Sequence, residues 1–164
     1  MNELFQRISV RQYTDKPVEP EKIDMILKAA MQAPSAGNQQ PWEFYVVTDP
    51  GLISLLAKTS PYAGCTANAG TVIVPCYRTE GIYFPDYAEI DLAIACENLW
   101  LETTSQGLGT VMLGVAPLQD RMEAVAKVLN IPATLKPFAM FPIGYPAESR
   151  DQQDRYDPAR IHYL

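Results

Sequence analysis

Five of the chain's seven arginines, Arg7, Arg11, Arg150, Arg155 and Arg160, fall in its first eleven or last fifteen residues. Two of them bracket a serine in Arg7-Ile8-Ser9-Val10-Arg11. In extended backbone the side chains repeat every two residues, so two guanidiniums and a hydroxyl emerge together on one face. Guanidinium forks make bidentate, charge-assisted bonds to phosphate oxygens, and a serine adds a further donor. The segment is a candidate grip for a phosphate, which Arg155 completes if the two termini meet, as termini often do. The competing reading is ion pairing: Asp151, Asp154 and Asp157 stand beside Arg150, Arg155 and Arg160. For Arg150 and Arg160 pairing is the favoured reading; for the N-terminal segment both stand open.

A second group is Pro34-Ser35-Ala36-Gly37-Asn38-Gln39-Gln40-Pro41-Trp42. Two prolines stiffen a run of small and amide residues that offers hydroxyl, carboxamide and backbone partners together. Such groups recognise a planar, hydrogen-bonding heterocycle. The alternative is a plain turn in which Ser35 and Asn38 cap the local backbone. Gly107-Leu108-Gly109-Thr110 invites a dinucleotide-fold reading that fails, because these glycines follow a helix and lead into a strand. Gly107 fits a helix stop and Gly109 a close crossing, while Gly114 ends a strand where backbone can approach a ligand.

Absences narrow the chemistry. His162 is the only histidine, so neither a Ser-His-Asp triad nor a multi-histidine metal site is expected. Asp86, Glu89 and Asp91 cluster where a helix begins, as the helix dipole favours. Cys65, Cys76 and Cys96 lie eleven and twenty residues apart with no C-x-x-C, which suits buried reduced thiols rather than zinc or disulfides. With no catalytic residue and no metal site of its own, an enzyme of this kind borrows its reactivity from a cofactor.

The elements that must position these groups follow from periodicity. Helices are expected over 2–8 (capped by Asn2), 18–32, 52–58, 86–106 and 118–129. The strands are 42–48, 71–77, 110–113 and 137–143. In the helix over 18–32, Ile23, Ile26, Leu27, Ala30 and Met31 form one apolar stripe. Pro75 marks the second strand as an edge or a bulge, since proline cannot donate to a central ladder. The helix over 86–106 is apolar on more than one face, which hints at a second subunit packing on it. The tail from 147 has no core of its own. Helices and strands interleave along 164 residues, the size of one α/β or α+β domain. A net charge of −6 leaves no large basic face for nucleic acid. No apolar run approaches the roughly 20 residues a bilayer span needs, and nothing near Glu3 reads as a secretory signal, so a soluble, cytoplasmic protein is expected.

Taken in order, the motifs resemble the nitroreductase family of flavin enzymes. The family's R-x-S-x-R segment and following aromatic are matched by Arg7, Ser9, Arg11 and Tyr13, and its P-S-x-x-N-x-Q-P-W loop by Pro34, Ser35, Asn38, Gln40, Pro41 and Trp42. A buried helix running into G-L-G-[ST] is matched at Gly107 to Thr110. A G-Y-P turn with a later arginine is matched by Gly144, Tyr145, Pro146 and Arg155. The resemblance implies an α+β fold with a central mixed sheet flanked by helices, dimerising through the long helix, with FMN at the subunit interface. Arg7, Ser9, Arg11 and Arg155 would hold the phosphate and ribityl chain. Ser35, Asn38 and Gln40 would contact flavin and ribityl groups from the partner subunit, and Met112, Leu113 and Gly114 would lie against the ring. NAD(P)H would deliver hydride to flavin N5, and a nitroaromatic, quinone or similar small-molecule acceptor would then take the electrons. The alternatives are a flavin carrier or sensor without turnover, or other flavin chemistry such as dehalogenation or dehydrogenation.

Overall fold

A computed structural model describes residues 3–149, 151 and 154–164. The expected cap Asn2 and the tail arginine Arg150 lie outside the described residues. The first helix, α1 (Glu3–Gln6), is a single turn; α2 (Pro20–Met31) starts on the proline expected in its first turn. Of the expected stripe on α2, Ile23, Ile26 and Ala30 are buried, Leu27 packs at the core's margin, and Met31 turns out to solvent. Then follow β1 (Trp42–Val47), α3 (Pro50–Leu56), β2 (Thr71–Arg78), α4 (Ala88–Ser105), β3 (Gly109–Thr110), β4 (Leu113–Gly114), α5 (Gln119–Leu129), β5 (Leu135–Pro137) and β6 (Ala139–Gly144). The strand expected over 110–113 is thus two short strands.

The strands order as β1-β2-β6-β3, with β4 also pairing β6 and β5 also pairing β2. All five of these ladders are antiparallel, where a mixed sheet was expected. The order of the strands accounts for the difference: α4 joins β2 to β3, which run in the same direction, but β6 inserts between them and pairs antiparallel with both. Helix–strand interleaving in the sequence shows the crossover but not the inserted strand.

Pro75 sits at a bulge, in a strand paired on both sides. Along β6 the register runs Thr71↔Ile143 to Ile73↔Phe141, and along β5 it runs Cys76↔Pro137 to Arg78↔Leu135. The two registers differ by one residue, and the extra residue is Phe138, whose N–H donates to the Pro75 carbonyl at 2.9 Å. A residue without an N–H is tolerated there because the ladder is already interrupted.

Both faces of the sheet are covered. Ile73, Phe141 and Ile143 pack with Ile26 of α2 and Leu92, Ala95 and Leu99 of α4. On the opposite face Val72, Val74 and Met140 pack with Leu56 of α3 and Val125 of α5. The period of two along β2 and β6 thus serves two cores at once. All three cysteines are free; Cys76 and Cys96 are buried and Cys65 partly so. Burial pushes the Cys76 thiol up to about 12 and the Cys96 thiol up likewise. They are inert core sulfurs.

Candidate functional site

The N-terminal segment is fastened to the fold at successive backbone atoms. The Arg7 N–H closes α1 on the Glu3 carbonyl at 2.8 Å. The Ile8 carbonyl accepts from the Trp100 indole N–H at 3.3 Å, and the Val10 N–H donates to Thr110 at 2.9 Å. The Val10 carbonyl accepts from the Tyr13 hydroxyl at 2.7 Å, and the Arg11 N–H donates to the Glu148 carboxylate at 2.9 Å. Further on, Thr14 donates to the Tyr145 carbonyl and Ala147 to the Gln12 carbonyl, each at 2.9 Å. The two ends of the chain therefore meet as far as Glu148. Burial raises the pKa of Tyr13 far above the ordinary phenol range, so it stays a donor at any ordinary pH.

Glycines make that approach possible. Gly109 and Gly144 are partners in the β3–β6 ladder. A Cβ on Gly109 would lie 2.7 Å from Val10, and one on Gly144 would lie 3.0 Å from the Tyr13 side chain. Val10 is buried against this floor, whereas Ser9 is half-buried and the Arg11 side chain is exposed. Replacing Gly109 with alanine is expected to lift Val10 and destabilise the chain by about 1–3 kcal/mol. Thermal unfolding measures it, and an unchanged midpoint would show that the crossing is slack.

Arg7 stands at the exit of α1. Its guanidinium lies over the Trp100 ring, 4.3 Å from the centroid, with Nε 3.9 Å from Glu97. Arg155 is exposed on the tail and forms no bond or ion pair among the described residues, so no described contact brings it to Ser9 or Arg11. Arg160 pairs with Asp157 at 3.1 Å, as expected of a tail arginine.

The proline-bracketed loop is built from within. Ser35 Oγ accepts the Gln40 N–H at 3.0 Å. Gly37, Asn38 and Gln40 take positive φ of 55°, 56° and 46°, a conformation that asparagine tolerates and glutamine adopts only under constraint. The constraint comes from Gln39, which the sequence reading did not single out. Buried in the loop, its amide nitrogen donates to Asp91 Oδ2 at 2.8 Å and to the Phe84 carbonyl at 2.9 Å. Its amide oxygen accepts the Phe84 N–H at 2.8 Å. Asp91 Oδ1 accepts the Ala36 N–H at 2.9 Å, and Arg78 donates to the Gln39 and Gln40 carbonyls at 3.2 and 2.7 Å. Asn38 and Gln40 are left exposed.

Asp91 therefore does more than favour the helix dipole: it is 3% exposed and anchors the loop. The available signal was its spacing from Ala88, Ala95 and Leu92, which places a carboxylate on the buried face of α4. On the far side of the sheet Leu113 is buried, whereas Gly114 is exposed and a Cβ built on it meets nothing within 4 Å. The Gly114 carbonyl accepts from Arg121 at 3.1 Å. No metal-binding group of three or more His, Cys, Asp or Glu occurs among the described residues.

Comparison with known proteins decides what this arrangement belongs to. The model of the Nitroreductase family matches residues 4–145. The chain belongs to the nitroreductase family. A relative from Methanothermobacter thermautotrophicus, provisionally named an NADH dehydrogenase/NAD(P)H nitroreductase, is 39% identical over 95% of this chain and 82% of its own. A solved Parabacteroides distasonis structure with the same provisional name superposes with a TM-score of 0.95. It shares 36% identity, covering 99% of this chain and 95% of the other. An FMN-dependent nitroreductase from Clostridium difficile gives a TM-score of 0.92 at 28% identity, with 99% and 97% covered. The nitroreductase match takes in both the R-x-S-x-R segment and the proline-bracketed loop; it ends at Tyr145, before Arg155. Among the described residues no helix is long and apolar enough to cross a membrane.

Proposed function

We propose that this nitroreductase-family chain is an FMN-dependent oxidoreductase acting as a homodimer. The observation that carries the reading is the segment at residues 8–11, pinned at backbone atoms of Ile8, Val10 and Arg11, with Val10 buried, Ser9 half-buried and the Arg11 side chain exposed. A preorganised hydroxyl and guanidinium on rigid backbone is the donor set a terminal phosphate requires. On this reading Arg7, whose guanidinium now lies over Trp100, and Arg155 of the exposed tail would turn to the same phosphate when it binds. Asn38 and Gln40, exposed on a constrained loop, together with Ser35, supply partners for ribityl hydroxyls and ring edge. The open surface at Gly114, beside Leu113, is where a flat ring can approach backbone without meeting a side chain. FMN held by these residues would supply two-electron redox chemistry between NADH or NADPH and a nitroaromatic, quinone or similar acceptor.

The dimer reading rests on α4. Ile90, Ala93 and Ile94 are exposed at spacings of three and four, one stripe opposite the face that packs on the sheet. Ile94→Glu is expected to shift the protein from dimer to monomer in light scattering; a wild-type monomer removes this part of the reading.

The deciding experiment is anaerobic spectroscopy. The purified protein should carry the absorbance of oxidised flavin, and NADH or NADPH should bleach it. A protein that takes up no FMN, or a flavin that neither nucleotide reduces, overturns the reading.

A further inference from the structure

Arg121, in the first turn of α5, uses one of its five N–H groups on the Gly114 carbonyl, at 3.1 Å. Its Cζ lies 5.5 Å from the ring centroid of Tyr62, a side chain 72% exposed to solvent. Arg121 is itself partly exposed and has no carboxylate partner among the described residues. Within reach of one guanidinium there are thus an open stretch of backbone, a largely exposed aromatic ring and unused donors.

We propose that Arg121 and Tyr62 form the acceptor-binding corner of this enzyme and select aromatic electron acceptors that carry a carboxylate. The proposal rests on reading Gly114 as part of the flavin site. A chain of net charge −6 gives an anion no general attraction, so an anionic acceptor needs a local cation. A guanidinium offers a carboxylate a bidentate fork, and the tyrosine ring offers the acceptor's own ring an apolar surface. In the reaction so oriented, a nitro group takes two electrons and two protons from the reduced cofactor and leaves as nitroso plus water. The carboxylate takes no part beyond binding.

The test is a matched pair of ligands on the oxidised, FMN-loaded protein. Benzoate should bind about tenfold more tightly than benzamide, as one charge-assisted contact implies. Arg121→Gln should bring the two to equal affinity, Arg121→Lys should keep part of the difference, and Tyr62→Ala should weaken both alike. Reoxidation of the dithionite-reduced protein by 4-nitrobenzoate and 4-nitrobenzamide should show the same ratio collapsing in Arg121→Gln. A purely structural role for Arg121 would change both acceptors equally. Equal binding of benzoate and benzamide by the wild type, or a ratio untouched by Arg121→Gln, overturns the proposal while leaving the flavin reading standing. A protein that binds no FMN overturns both, and is recognised before any ligand is added.

Discussion

Arg11→Ala is expected to weaken FMN binding by about 10–100-fold, the loss of one strong charge-assisted contact, while leaving stability close to that of the wild type. The two halves of this expectation have separate causes. The Arg11 side chain is exposed, and only its backbone N–H is committed to the fold, through Glu148; alanine keeps that N–H. What alanine removes is a guanidinium on a strip that cannot move to compensate, because Val10 is seated on Gly109. Arg11→Lys should lie between, keeping the charge but not the fork. Arg160→Ala is the control, since that guanidinium is already paired with Asp157 on the tail. Fluorescence titration of the apoprotein with FMN gives the affinities, and thermal unfolding of the apoproteins gives the stabilities. Full FMN loading of Arg11→Ala after gel filtration would show that Arg11 does not hold the phosphate.

Much of the scaffold was legible in the sequence because the signals involved are local. Pro20 and the apolar spacing of α2 and α4 fix helices that the structure places within a few residues of expectation. Gly107, with φ of 72°, follows the end of α4, and Gly109 makes the close crossing, as their spacing suggested. Pro75 announced an edge or a bulge through what it cannot donate, and the structure has the bulge. The unreadable parts depend on distant partners. That β6 lies between β2 and β3 is set by residues some seventy positions from β2, and no period in either strand records it. Arg7 belongs by sequence to an alternating triplet, yet Trp100, ninety-three residues away, takes its guanidinium. The site shows the same division. Ser9, Arg11, Asn38 and Gln40 stood out by residue type, whereas Gln39 and Asp91 were hidden, one as the less notable of two glutamines and the other among helix-capping acids.

Those hidden residues carry the other large expected effect. Asp91 is a buried carboxylate whose two oxygens accept from Ala36 and Gln39. Asparagine at this position presents one oxygen and one NH2, so whichever way it lies a donor faces a donor. Gln39 cannot resolve the conflict by turning over, since its own oxygen and nitrogen are fixed by the Phe84 N–H and carbonyl. Asp91→Asn should therefore destabilise the chain by about 1–3 kcal/mol, the cost of a buried donor left unpaired. For a domain of this size that is a fall in Tm of roughly 2–12 °C. FMN affinity should fall with it, because the positive φ at Asn38 and Gln40 persists only while Gln39 is held. A double-mutant cycle separates this account from general damage to the core. Gln39→Glu alone sets two carboxylates against each other across the 2.8 Å contact and should be the most damaging single change. Combined with Asp91→Asn, it gives the new glutamate a donor and leaves only the Phe84 carbonyl without its former partner. The double variant should accordingly be more stable than Gln39→Glu alone, and should recover part of the FMN affinity. Simple addition of the two losses would mean that the loop is held by something other than this amide–carboxylate pair.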